Sequence, residues 1–331
     1  MRGLATGGAA LALLLGALVH PAAARPPEPR RTAPLASTGY VLGDAPDSLV
    51  AREAHALATL GVDGVVLDRR GDGVSALDPR LAATAHAHGL RAELLLSNYS
   101  DRIGDFDPRA AARLLRSPAH VDAVATQLAS YVASQGWDGI QVDLESLSAR
   151  DADGLLALVR TLQSRMAPEK TVSIAVMASD RPSEYVRRGY RLAELGQAVD
   201  VLALMTYDQH GPWSGPGPVG ALPWQRRAVG VVTAVVPATK VDLGVAGYGY
   251  TWPRGRQGRT LSDAGARRLV SRSGAVARWR AGSGEWTARL PDGTRLWWSD
   301  GRSIALRQQL AVELGLHGIA LWRLGSADPL A

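Results

Sequence analysis

Short apolar runs alternate with longer amphipathic stretches along most of the chain, from about residue 38 to the end. The apolar runs have the length of strands, and the stretches between them repeat hydrophobic residues at helical spacing. The eight predicted strands cover residues 39–42, 62–68, 91–97, 136–145, 171–177, 199–207, 240–248 and 317–324. The predicted helices cover residues 47–60, 79–88, 108–115, 119–134, 151–166, 224–235 and 303–314.

Eight strand–helix units predict an α/β fold, a closed (β/α)₈ TIM barrel, which commonly takes about 250 residues before insertions. An open doubly wound sheet is the alternative, but it usually carries a glycine-rich phosphate loop early in the chain. Residues 43–46 (Gly-Asp-Ala-Pro) do not form such a loop. We therefore predict a barrel over residues 37–331.

One span, from residue 253 to about 300, departs from the alternation. Two alternating runs, residues 284–290 and 294–298, flank the dipeptide Asp292-Gly293. This pattern is typical of a β-hairpin. We predict a small α+β insertion here, between strand seven and the last helix.

The beginning of the chain has the pattern of a secretory signal peptide over residues 1–24. Arg2 precedes an apolar run at residues 9–19, and small residues follow at positions 21–24. The run is too short for a transmembrane helix, and an uncleaved anchor is the alternative. Residues 25–36 are rich in proline and arginine, as in a linker. We expect a secreted or cell-envelope protein with no integral membrane segment after signal cleavage.

Composition excludes several classes of function. The 331 residues include no cysteine, so there is neither a disulfide nor a thiol nucleophile. The net charge is +6, but the arginines are dispersed and form no basic stripe, so we expect no nucleic-acid partner. His86 and His88 do not face each other on a helix, and we predict no metal site and no cofactor.

The stretch from Gly136 to Glu145 contains the candidate chemistry. Because strand side chains alternate, it divides into an aliphatic face (Ile140, Val142, Leu144) and a polar face (Gln141, Asp143, Glu145). Burying two acids on one face is costly unless they are paired or used. They either form an ion-pair network with arginines or take part in catalysis. We favour catalysis, because active sites of this fold lie at the C-terminal strand ends.

Other predicted strand ends carry aromatic and acidic residues. Strand six ends with Met205, Tyr207 and Asp208, strand seven with Tyr248, and strand eight with Trp322. Aromatic rings cover the apolar faces of sugars, and carboxylates bond hydroxyl groups or supply protons. The strand ends together indicate a sugar-binding cleft.

These motifs resemble those of the family 18 glycoside hydrolases. Residues 138–145 (Asp-Gly-Ile-Gln-Val-Asp-Leu-Glu) resemble that family's Asp-x-x-Asp-x-Asp-x-Glu signature. Residues 205–208 (Met-Thr-Tyr-Asp) resemble its Met-x-Tyr-Asp motif, and residues 321–325 its strand-eight tryptophan. Residues 297–304 and 318–322 are most similar to the bacterial branch that includes spore-cortex and cell-wall lytic enzymes.

The resemblance implies an endo-type, retaining and substrate-assisted glycosidase. It would cleave β-1,4 bonds next to N-acetylglucosamine in chitin or peptidoglycan glycan, as a monomer without a cofactor. Glu145 would be the general acid and base, Asp143 would orient the substrate's acetamido group, and Tyr207 would bond the acetamido oxygen. The implied substrate contacts are Asp208, Trp322, Met205, Gln141 and Tyr248, whereas Asp138 supports the start of the strand.

Gln141 departs from the family pattern, which has an aspartate there that shares a proton with the next one. An amide cannot take up a proton, so the rate and the pH optimum depend on this position. A non-catalytic glycan-binding protein on the same barrel is the alternative function, although such proteins usually lose the terminal glutamate, which Glu145 retains. A metal-dependent hydrolase would need a histidine cluster, which the sequence does not contain.

Overall fold

The computed structural model describes residues 35–330, so the predicted signal peptide and most of the predicted linker lie outside the described residues. Eight parallel strands close into a barrel in the order β1-β8-β7-β6-β5-β4-β3-β2, which confirms the predicted (β/α)₈ class. The strands are β1 (Ala36–Leu42), β2 (Thr59–Val66), β3 (Arg91–Ser97), β4 (Gly139–Asp143), β5 (Thr171–Met177), β6 (Val201–Met205), β7 (Val241–Ala246) and β8 (Gly318–Trp322).

Ten helices of the described part surround the barrel or connect its strands. They are α1 (Asp47–Glu53), α2 (Arg80–Ala87), α3 (Pro108–Leu115), α4 (Pro118–Gln135), α5 (Ala152–Arg165), α6 (Pro182–Arg187), α7 (Leu192–Ala198), α8 (Leu222–Thr233), α9 (Asp263–Arg272) and α10 (Gly301–Glu313). Across residues 35–330, no helix combines the length and apolar character that a membrane span requires.

The predicted helix over residues 47–60 was wrong at its C-terminal end. Helix α1 stops at Glu53, and Leu60 pairs with Ala92 in the barrel. Leu60 continues the helical spacing of apolar residues, but its burial comes from the strand. The next strand accordingly begins at Thr59, before the predicted start at Val62.

The two faces of β4 lie in different surroundings. Ile140 and Val142 are fully buried in the aliphatic layer between the barrel and its helices. The other face points into the barrel interior. Near the N-terminal ends of the strands this interior holds polar side chains, which are hydrogen-bonded as buried polar groups must be. Ser173 donates to Glu93 at 3.0 Å, and Asp242 pairs with the ring of His317 at 2.7 Å.

An insertion follows β7 and contains a five-stranded antiparallel sheet and α9. The predicted hairpin is confirmed, because Glu285–Arg289 pairs with Arg295–Trp298. The sheet already begins with Gly249–Trp252, earlier than the predicted start at residue 253. A buried ion pair, Arg307 to Glu285 at 3.2 Å, connects α10 to the hairpin.

Candidate active site

The predicted acids line an open cavity of about 730 Å³ at the C-terminal end of the barrel. Asp143 is the last residue of β4, and Glu145 follows it in the loop. Tyr207, just after β6, and Trp322, at the end of β8, line the same cavity, as does Met205. The structure therefore brings these five predicted residues together.

A second cavity, of about 620 Å³, adjoins the first. Asp208 and Trp322 line both cavities, so the two meet at these side chains. The wall of the second cavity also includes Tyr248, Tyr250 and Arg323. The cleft thus extends to both sides of Trp322, which a bound chain of several sugars would need.

Burial and like charge raise the pKa values of both predicted catalytic acids. The pKa of Glu145 is raised well above its usual value, first by burial and then by the charges of Asp143 and Asp208. The pKa of Asp143 is also raised, by burial and by the charge of Asp63. The raised pKa favours the protonated form of Glu145, which is the form that a general acid requires.

Asn98 fixes the backbone of Glu145, a role that the sequence analysis missed. Its side-chain oxygen accepts from the Glu145 amide at 2.9 Å, and its side-chain nitrogen donates to the Glu145 carbonyl at 3.0 Å. The same nitrogen donates to the Asp107 carbonyl at 3.1 Å. The only available signal was a polar residue directly after a strand, which is common in loops.

Two tyrosines hold Asp208. The hydroxyl groups of Tyr248 and Tyr250 donate to its Oδ1 at 2.5 and 2.8 Å. The backbone of Asp208 is left-handed (φ 58°), as is that of Ser146 directly after Glu145. Strained backbone of this kind collects at functional sites because the surrounding contacts maintain it. Tyr248 is largely buried, and its side chain lines the second cavity beside Asp208.

Gln141 lies one layer deeper than the acids. It lines a small cavity of about 20 Å³ together with Asp143, enough for a single water. Its Nε2 donates to Ser173 Oγ at 3.2 Å, and Ser173 in turn donates to Glu93. Because Gln141 lies at this depth, its position favours a role in supporting Asp143 over the direct contact with substrate that was predicted.

Asp138 lies at the opposite, N-terminal end of β4. Its carboxylate accepts from the Ala92 amide at 2.9 Å, contacts His86 Nε2 at 2.7 Å, and lies 3.6 Å from Lys170. These contacts attach the start of β4 to its neighbours. His86 is therefore a partner of Asp138 and has no part in the cleft.

Within residues 35–330, no group of three or more histidine, cysteine, aspartate or glutamate side chains could hold a metal. The cleft combines a carboxyl group with a raised pKa, a neighbouring acid, a phenol and an indole face. Such a set can protonate a leaving oxygen and stabilise positive charge on a sugar.

Comparisons with known proteins agree with this geometry. The family model for glycosyl hydrolases family 18 matches residues 103–327. The uncharacterized glycosylase YvbX of Bacillus subtilis (strain 168) is 22% identical over 300 residues, covering 88% of this chain and 87% of that protein. A chitinase from Chromobacterium violaceum ATCC 12472 superposes with a TM-score of 0.82 at 25% identity, over 89% of this chain and 95% of that one.

A cortical fragment-lytic enzyme of Bacillus anthracis is also similar, with 23% identity over 256 residues. The match covers 71% of this chain and 57% of that enzyme. The chain thus spans little more than half the length of this relative.

Proposed function

This chain belongs to glycosyl hydrolase family 18, and we propose that it cleaves β-1,4 bonds next to N-acetylglucosamine by a retaining, substrate-assisted mechanism. The observation that carries the proposal is the carboxyl group of Glu145 beside Asp143 in the wall of an open cleft, where burial and neighbouring acids raise the pKa of Glu145. An acid in this state can protonate a glycosidic oxygen at neutral pH, where an ordinary glutamate has lost its proton.

In the first step, the Glu145 proton passes to the glycosidic oxygen as the bond to the anomeric carbon breaks. The carbonyl oxygen of the substrate's own 2-acetamido group forms a new bond to that carbon, which gives an oxazolinium intermediate. Asp143 accepts a hydrogen bond from the acetamido N–H and stabilises the positive charge. Glu145, now ionised, then takes a proton from the water that attacks the anomeric carbon, so the configuration is retained.

The remaining cleft residues hold the sugar in this scheme. Tyr207 donates a hydrogen bond to the acetamido oxygen, and Trp322 stacks against the apolar face of the distorted sugar. Asp208 bonds a sugar hydroxyl or a water from the orientation that Tyr248 gives it.

We infer that the substrate is a glycan of the cell wall, with chitin as the other candidate. The similarity to a cortical fragment-lytic enzyme supports a cell-wall glycan, and the similarity to a chitinase supports chitin. Both polymers contain N-acetylglucosamine, whose acetamido group the mechanism uses. The predicted signal peptide supports a secreted or envelope-associated enzyme.

Glu145→Gln and Asp143→Asn test the proposal, with chito-oligosaccharides and peptidoglycan as parallel substrates and mass spectrometry of the products. Removing the general acid should lower kcat by about 10²- to 10⁴-fold. Glu313→Gln is the matched control, because Glu313 is an exposed residue of α10 that pairs with Arg226 on the surface.

Wild-type turnover by the Glu145 variant would refute the mechanism. Glycan binding without turnover by the unmodified protein would instead favour the lectin-like alternative. NMR of the first product gives the anomeric configuration, and inversion would exclude the oxazolinium route.

A further inference from the structure

Arg323 directly follows Trp322 and lines the second cavity, of about 620 Å³. The backbone on either side of Arg323 is fixed by hydrogen bonds. The carbonyl of Trp322 accepts from the Gly247 amide at 2.7 Å, and the amide of Leu324 donates to the Tyr40 carbonyl at 2.9 Å. Arg323 is therefore held between the end of β7 and the strand β1, at the wall of the cleft.

The guanidinium group of Arg323 is free to bind a ligand. Arg226 pairs with Glu313 at 2.8 Å, but Arg323 has no such ion pair within residues 35–330. Its side chain is half-buried. Because a cation between protein walls is screened by water less than a fully exposed one, its charge acts strongly on whatever enters the cavity.

Three acids lie around Arg323 without pairing with it. Asp208 lines the same cavity, but its Oδ1 already accepts hydrogen bonds from two tyrosine hydroxyl groups. Asp44 lines this cavity too and is exposed to solvent, which weakens its field. Asp63 lines the first cavity, and the charge of Arg323 opposes the rise in its pKa that burial causes. The guanidinium group thus faces the cleft and is not used up by these acids.

The ligand that suits such a group is a carboxylate on the substrate, because a guanidinium binds a carboxylate through two parallel N–H···O bonds. Chitin is neutral and offers none. In peptidoglycan glycan every second sugar is N-acetylmuramic acid, whose lactyl carboxyl group is free wherever no peptide is attached. When N-acetylglucosamine stacks on Trp322, both of its neighbours in such a strand carry this group. Since the cleft extends to both sides of Trp322, one of the neighbours enters the second cavity.

We propose that Arg323 is a specificity-determining residue: it binds the carboxylate of a sugar next to the one stacked on Trp322, and so selects glycan strands with free carboxyl groups over neutral chitin. This inference rests on the proposed function, which places the reacting N-acetylglucosamine on Trp322. Arg323 touches no reacting atom in that scheme. Its loss should therefore raise KM and leave kcat unchanged.

The test compares Arg323→Gln with the unchanged protein on three substrates. They are glycan strands freed of peptide by an amidase, the same strands with their carboxyl groups converted to methylamides, and a chito-oligosaccharide of equal length. Because charge-assisted hydrogen bonds are the strong ones, we expect kcat/KM on the charged strands to fall about tenfold in the variant, through KM. On both neutral substrates kcat/KM should stay within about twofold of that of the unchanged protein.

Arg272→Gln is the matched control, because Arg272 is the exposed last residue of α9 and lines neither cavity. It removes the same charge from the protein and should leave turnover of all three substrates unchanged. Arg323→Lys keeps the charge but loses the paired N–H groups, so it should recover part of the affinity. If circular dichroism shows that Arg323→Gln does not fold, the unchanged protein still decides, since it should prefer the charged strands to their methylamides about tenfold.

Equal kcat/KM of the unchanged protein on charged and methylamidated strands would overturn the proposal. An equal loss on all three substrates in Arg323→Gln would indicate a structural role and would also overturn it, as would an unaltered KM on the charged strands. Failure of the proposed function is distinct, because it appears as no turnover of any substrate. The dissociation constants of charged and methylamidated strands would then still show whether Arg323 binds a carboxylate.

Discussion

Asn98 offers the sharpest test of how the cleft is held together. Its amide group binds both the N–H and the C=O of Glu145, and also the carbonyl of Asp107 at the N-terminus of α3. Asn98→Ala removes all three hydrogen bonds at once. It also leaves the Glu145 backbone without the partners that fix the position of its side chain.

The size of the effect follows from the bond count. Three hydrogen bonds at about 1 kcal/mol each predict a loss of about 3 kcal/mol of unfolding free energy. In a domain of this size that corresponds to a fall in Tm of roughly 5–10 °C. Since a shift of about 1 Å in a reacting group can cost 10²-fold in rate, we expect kcat/KM to fall by about that factor.

Thermal unfolding and steady-state kinetics on a chito-oligosaccharide measure the two effects separately. Gln127→Ala is the matched control, because Gln127 also binds both the N–H and the C=O of one residue, Val74, from helix α4. That variant should lose stability to a similar extent and retain its kcat/KM. If Asn98→Ala behaved as Gln127→Ala does, the positioning role of Asn98 would be refuted.

Three further predictions concern charge. Arg307→Met leaves Glu285 buried and unpaired, so the unfolding free energy measured in urea should fall by about 3–5 kcal/mol, and adding Glu285→Gln should recover part of it. Burial raises the pKa of the Asp263 carboxyl group to about 8. The contribution of this group to stability is therefore complete below its unfolded pKa and is lost as the pH rises through 8. Asp263→Asn should raise Tm relative to wild type at pH 9, with little gain at pH 4. Tyr248→Phe removes the 2.5 Å hydrogen bond that lowers the pKa of Asp208. We expect kcat/KM to fall roughly tenfold, and more at pH 5 than at pH 8 because the pKa of Asp208 rises. An unchanged pH profile would contradict this prediction.

The strands that line the cleft were predictable because their pattern is local. The bounds of β3 and β5 coincide with the predicted residues 91–97 and 171–177, since each contains a short apolar run, at residues 94–96 and 174–177. The short helices α6 and α7 were not predicted, because six or seven residues hold too few repeats to reveal a helical period. Their positions come from packing against the barrel.

The candidate catalytic acids were predictable for a related reason, and their supporting residues were not. Asp143 and Glu145 place two acids on the same face of one alternating stretch, so both stand out within it. Asn98 acts on a residue 47 positions later in the chain, and no spacing rule connects the two. Asp63 stands beside a glycine within an apolar run, and only closure of the barrel brings it to the cavity that Asp143 also lines.

The contacts of the acids at the end of β4 favour one of the two interpretations that the sequence left open. Two buried acids away from the cleft have a cation against them: Glu285 lies 3.2 Å from Arg307, and Asp151 lies 2.8 Å from Arg116. Asp143 and Glu145 have no such ion pair in the described part of the chain. Burial and other acids raise both pKa values, and the charge of Arg188 lowers that of Glu145 to a smaller extent. A group of acids with so little countercharge destabilises the fold, and the barrel maintains it through surrounding contacts such as those of Asn98. This arrangement is the one that the proposed reaction needs, since protonation of a glycosidic oxygen requires a carboxyl group that holds its proton.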